Sequence, residues 1–144
     1  MSNTIVETIL DTLGDEMEEF IKISRSYRTT PTMIYRGAFA PDEVSAFPII
    51  GYDIKGENLD LVYQDDEGVA FIEIDIYGYA YSDGVDRISD IRNLAHDVLN
   101  FIHNDWSYTD TTGILDKIEY LGYKTLSFRL PIVVHYEWDY TTIK

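Results

Sequence analysis

From Val69 to Ser82 the side chains alternate without a break. Ile72, Ile74, Ile76, Gly78 and Ala80 share one side, and Phe71, Glu73, Asp75, Tyr77, Tyr79 and Tyr81 share the other. A period of two belongs to a strand. A strand with one aliphatic face must bury that face, so this run commits the chain to a sheet covered on at least one side. A second long strand is expected over Thr125–Trp138. Leu126, Phe128, Leu130, Ile132, Val134, Tyr136 and Trp138 alternate there with Ser127, Arg129, Val133, His135 and Glu137. Pro131 interrupts this run and predicts an edge position, a bulge or a kink.

Two amphipathic segments can supply the cover. Over residues 4–23, Ile5, Ile9, Leu13, Met17 and Phe20/Ile21 recur at helical spacing, with Val6 and Leu10 widening the stripe. Thr4 and Glu7 have capping-box spacing at its start. Over about 86–104, Ile88, Ile91, Ala95, Val98, Leu99 and Ile102 form a second stripe. Between the helices, Met33–Arg36 and Phe47–Ile54 read as strands, with Pro48 at an edge or at a strand start, and Leu59–Tyr63 as a weaker one. Asp65-Asp66-Glu67-Gly68 reads as a tight turn. Residues 104–113 read as a polar loop, Ile114–Leu121 as a strand and Gly122-Tyr123 as a turn. The chain shows no repeat and no linker, so residues 1–144 are expected to form one domain. Short turns and alternating faces predict an α+β fold: an antiparallel twisted sheet of about four to six strands, with two helices packed on one face.

Charge limits what such a domain can bind. The chain carries 11 Lys+Arg against 26 Asp+Glu, a formal net charge of −15. Residues 22–36 hold Lys22, Arg25, Arg28 and Arg36 and no acid, whereas residues 37–86 hold 12 acids and only Lys55. Affinity for a nucleic-acid backbone comes from Lys and Arg, so this balance argues against a phosphate-gripping protein. There are 12 tyrosines, a residue suited to half-wet subunit contacts. There is no cysteine, hence no disulfide and no thiolate metal site. The acidic, amphipathic start lacks the basic and continuous apolar stretches of a signal peptide, and no run is long enough to span a bilayer. A cytoplasmic product is expected.

No pattern announces a reaction. Neither G-x-G-x-x-G nor a Walker loop is present. His96 and His103 lie two helical turns apart, ~10 Å at the usual rise, too far to share one ion. His135 falls on the polar side of the last strand. Glu57, Asp60, Asp65, Asp66 and Glu67 lack the D-x-D-x-D spacing and distal Glu of an EF-hand loop. Glu73 and Asp75 stand ~7 Å apart on one strand face, but a carboxylate pair needs a cleft to be catalytic. Nucleophilic catalysis lacks Cys and any G-x-S-x-G elbow. Tyr77, Tyr79 and Tyr81 could form a base-stacking platform, yet they are flanked by acids rather than by a basic groove. No catalytic residue, metal or cofactor is therefore expected.

The arrangement resembles the tail-terminator (tail-completion) proteins of tailed bacteriophages, and the related ring proteins of the neck and tail tube. The resemblance runs over residues 4–138. It rests on a first amphipathic helix, the strand Phe47-Pro48-Ile49-Ile50 and the acidic–apolar alternation Phe71-Ile72-Glu73-Ile74-Asp75-Ile76-Tyr77. An aliphatic helix, a strand and a last strand ending in aromatics complete it. It implies a non-enzymatic α+β subunit of a hexameric ring in the virion. Such a ring caps the tail tube, stops its polymerisation and provides the surface that joins the head. The partners would be the tube protein and a neck or connector protein, with DNA passing through without tight binding. On this reading Glu73 and Asp75, with Asp65, Asp66 and Glu67, offer an acidic surface for a bore. Lys22, Arg25, Arg28 and Arg36, with Tyr77, Tyr79 and Tyr81, offer a subunit interface. Head-to-tail closure needs two different complementary patches of this kind. Other neck or tube rings, an acidic DNA mimic and a small enzyme with an acidic pocket are the competing readings.

Overall fold

The computed structural model describes residues 4–24, 26–37, 48–62, 67–81, 87–108, 112–114, 118–121 and 125–139. The order is α1 (Ile5–Met17), a π-helical turn (Glu18–Ile23), β1 (Met33–Arg36), β2 (Ile49–Val62), β3 (Glu67–Tyr81), α2 (Arg87–Asn104), β4 (Thr112–Ile114), β5 (Glu119–Leu121) and β6 (Thr125–Asp139). One sheet runs β1-β2-β3-β6-β4, with β5 also on β6. Both helices pack on one face of it, so the fold is α+β.

The expected antiparallel sheet is mixed at one point. β1 runs parallel to β2, with Met33 opposite Ile49 and Arg36 opposite Tyr52. All other pairings are antiparallel. The two strands expected at 47–54 and 59–63 are one strand, β2, carried through Lys55-Gly56 by a bulge between Ile54 and Gly56. A bulge takes up one residue without ending the ladder. Pro48 directly precedes β2, where no ladder N–H is required, and its carbonyl accepts the Thr32 N–H at 2.8 Å. The hairpin pairs Val62 with Glu67, so Glu67 and Gly68 belong to β3 rather than to the turn; Asp65 and Asp66 lie outside the described residues. The strand expected at 114–121 is met only at its ends, where β4 finishes at Ile114 and β5 spans Glu119–Leu121, both laid against β6; residues 115–117 lie outside the described residues.

Pro131 sits inside the sheet, opposite Asp75 of β3. On its other side β5 stops at Arg129 and β4 begins at Ile132, so no described residue pairs with Leu130 or Pro131 there. The missing N–H falls at a local edge.

The core lies between the sheet's aliphatic face and the helices. Ile72, Ile74 and Ile76 of β3 and Phe128, Leu130, Ile132 and Val134 of β6 meet Ile9, Leu10, Leu13 and Met17 of α1 and Leu94, Ala95, Val98 and Phe101 of α2. Each large aliphatic side chain buried this way contributes about 1.5–3 kcal/mol relative to exposure. Gly78 stands opposite Phe128 on this face, and a Cβ there would overlap the Phe128 ring.

α1 begins at Thr4, whose hydroxyl oxygen accepts the Glu7 N–H at 3.1 Å. The Glu7 carboxylate turns to Arg36 on β1 instead of completing a reciprocal box, taking two guanidinium N–H groups at 2.6 and 2.9 Å. At its end the helix widens, with Ser24 N–H bonding Glu19 O at 2.8 Å. The wider turn keeps Ile21 buried and leaves Ile23 exposed. The following connection is pinned to the end of α2. Asp97, 2% exposed, accepts the Thr29 N–H at 2.7 Å, and the Tyr27 hydroxyl donates to Asp105. Burial and Asp105 together push the Tyr27 phenol well above its usual range.

Candidate functional site

The helix-free face of the sheet holds most of the side chains singled out by their alternation. Cross-strand register places Ile49, Tyr79 and Ser127 in one row, Gly51, Tyr77 and Arg129 in the next, and Asp53, Asp75 and Pro131 in a third. Tyr35 of β1 joins the second row, opposite Gly51. Its ring lies over Gly51, where any Cβ would collide with it. The rings of Tyr77 and Tyr79 stack at 6.5 Å and 18°.

Asp75 is not an exposed acid. It is 5% exposed, and its Oδ2 accepts from the Tyr77 hydroxyl at 3.1 Å and from Arg129 Nη1 at 3.3 Å. Arg129 also donates through Nη2 to Glu119 Oε1 at 3.3 Å. One guanidinium thus ties β3 to β5 across β6. Burial works against the Arg129 charge, but Asp75 and Glu119 outweigh it and raise its pKa. Burial pushes the Tyr77 phenol up to about 12, with Asp75 adding to the shift. Burial likewise raises Tyr79 and Tyr35, the Tyr79 phenol also acting on Tyr35. Among the described residues, Asp75 Oδ1, Arg129 Nε and the Tyr35 hydroxyl are buried with no hydrogen-bond partner.

The expected acidic surface is therefore corrected at Asp75, because Arg129 neutralises and covers it. Glu73 remains half-buried on the same face, opposite Gly56. Glu67 is placed in β3, while Asp65 and Asp66 lie outside the described residues. Exposed acids stand instead along the outside of α1, at Asp11, Asp15 and Glu19, and at Glu57 on β2. Two members of the expected basic interface are spent within the chain. Lys22 pairs with Glu18 at 2.9 Å and Arg36 with Glu7. Arg28 is exposed, and Arg25 lies outside the described residues. Tyr81 ends β3.

His96, His103 and His135 are exposed, and His135 lies against Phe71 with ring centroids 5.6 Å apart. Among the described residues, no three His, Asp or Glu side chains converge to hold a metal ion. Sequence reasoning missed Arg129 as the partner of Asp75, and Glu119 as the second carboxylate that holds the same guanidinium. The available signal was that Arg129 is the sole Lys or Arg between Thr125 and Asp139.

A second feature lies at the edge of the sheet. β1 covers β2 only as far as Tyr52, whose carbonyl takes the Gly37 N–H at 2.8 Å. Among the described residues nothing pairs with that side of β2 beyond this point. There a groove of about 270 Å³ opens between α1 and the bulge, lined by Val6, Glu7, Leu10, Ile54, Lys55, Gly56 and Glu57.

No protein-family model matches this chain, and no curated protein sequence matches it. No helix among the described residues is long and apolar enough to cross a membrane.

Proposed function

We propose that this chain is a structural subunit that assembles into a closed ring, and that the ring caps a phage tail tube. On this reading it ends tube growth and offers the head-joining surface in the virion, assembling in the host cytoplasm without catalysing a reaction. The observation that carries the reading is the segregation of the two sheet faces. The aliphatic face is used up by the helices. The other face presents Tyr35, Tyr77 and Tyr79 around the Asp75–Arg129 pair, a Tyr- and Arg-rich composition suited to a subunit contact. The resemblance to tail terminators supplies the six-fold stoichiometry, the tube and connector partners and the DNA passage. With Asp75 neutralised, Asp53 and Glu73 are acids of the 37–86 block left on this face to line a bore, where negative charge repels the DNA backbone and lets it slide.

The test is solution mass together with negative-stain images of the purified protein. A discrete ring is expected, broken by Tyr79→Asp. A chain that stays monomeric at high concentration overturns the reading. Open tubes would favour a tube protein. Salt-sensitive capture of a basic nucleic-acid enzyme without any ring would favour the DNA mimic.

A further inference from the structure

We propose that the edge of β2 from Asp53 to Glu57, unpaired among the described residues, is an acceptor site for an extended, lysine- or arginine-rich segment of a partner protein, which adds to the sheet as a strand. The site lies on the sheet edge rather than on the outer face, so it stands or falls separately from the ring. Three observations meet there.

The first is the backbone. Tyr52 directs its carbonyl to the β1 side, so with a period of two Ile54 is the next residue to present backbone groups on that side. The Ile54 N–H is not left bare. It donates to Asp53 Oδ1 at 2.8 Å. The Asp53 carboxylate occupies the position that a partner strand's carbonyl would take. An incoming strand displaces this side chain and inherits its hydrogen bond.

The second is the groove. Strand addition draws affinity from main-chain bonds and selectivity from pockets that receive alternate side chains. Here the edge runs beside a groove floored by Val6, Leu10 and Ile54. A small aliphatic side chain on the added strand fits that floor.

The third is charge. Asp53, Glu57 and Glu73 stand on and around this stretch. The opposing cations are Lys55 and Arg36, and Arg36 is held by Glu7. The remaining field is negative and favours a cationic strand. It disfavours a second copy of this chain, whose own net charge is −15.

The experiment uses the full chain and fluorescent peptides. One probe alternates lysine with valine and threonine, a second replaces lysine with glutamate, and a third is the lysine peptide N-methylated at alternate residues. Saturable anisotropy with the lysine peptide is expected, weakening as salt is raised. The glutamate and N-methylated peptides should bind at least about tenfold more weakly, since one loses the charge match and the other the strand hydrogen bonds. The Ile54 amide should exchange more slowly with solvent in the complex. Absence of binding, equal binding of the N-methylated peptide, or unchanged Ile54 exchange each overturns the proposal. Val6→Trp, which fills the groove, should weaken binding while leaving the free protein's fold intact by circular dichroism. If Val6→Trp unfolds the chain, the N-methylated probe still decides.

Discussion

The Asp75–Arg129 pair shows how much one side chain's fate depends on another far along the chain. Arg129→Met removes the cation but leaves a carboxylate buried, which is costlier than losing the pair altogether. A loss of about 3 kcal/mol is expected in urea titrations. That is the low end for orphaning a buried charge, because Arg129 is itself a quarter exposed. The double variant Asp75→Leu/Arg129→Met should recover most of it. Tyr77 adds an alkaline signature. Its phenol shifts from the ordinary value of 10.0 up to about 12 in the folded chain, so between those values the folded state holds the proton more tightly. Its contribution is fully present below pH 10.0 and is lost as pH rises toward about 12. Thermal melts across this range should show a decline that Tyr77→Phe flattens. Alternation along β3 was enough to put Asp75 on the right face. Its depth was not legible, because burial depended on a residue 54 positions further along the chain.

At the scale of elements, periodic segments were legible and joints were not. α1, β3, α2 and β6 follow their apolar stripes closely, since each stripe is local and long. The single strand β2 looked like two because Lys55-Gly56-Glu57 resembles a break, and only pairing with β3 converts it into a bulge. The parallel β1 and the split of 114–121 likewise follow from distant partners. The start of α1 is local chemistry and can be tested as such. Thr4→Ala removes the N-cap acceptor and should cost about 1 kcal/mol. Gly78→Ala should cost about 1–3 kcal/mol, because the added methyl forces Phe128 off its seat between β6 and the helices. Both can be read from urea midpoints.

For the molecule as a whole, the in-chain pairing of Lys22 and Arg36 changes what salt should do. With those cations engaged, neighbouring copies of a −15 chain mainly repel. On the proposed ring reading, added NaCl should therefore raise the assembled fraction in sedimentation experiments. A ring held by basic-to-acidic contacts would fall apart instead. Acid should act on the Glu7–Arg36 bridge. The Arg36 hydrogen bonds lower the Glu7 pKa, so its contribution is present above the ordinary carboxylate value of 4.5 and is lost as pH falls through the lowered one.

The register of β3 also bears on how the chain is made. Its two neighbours arrive at different times. β2 precedes it directly, but β6 follows only after α2 and two short strands. During synthesis, a nascent β2–β3 hairpin therefore waits with one full-length edge of β3 open. An aliphatic edge strand in that condition invites pairing with another nascent chain. Glu73 and Asp75 sit in the middle of this edge and act as gatekeepers while it is bare. A charge at Asp75 thus disfavours edge-to-edge pairing of an unfinished sheet, and in the finished one the same carboxylate is held by Arg129 of β6.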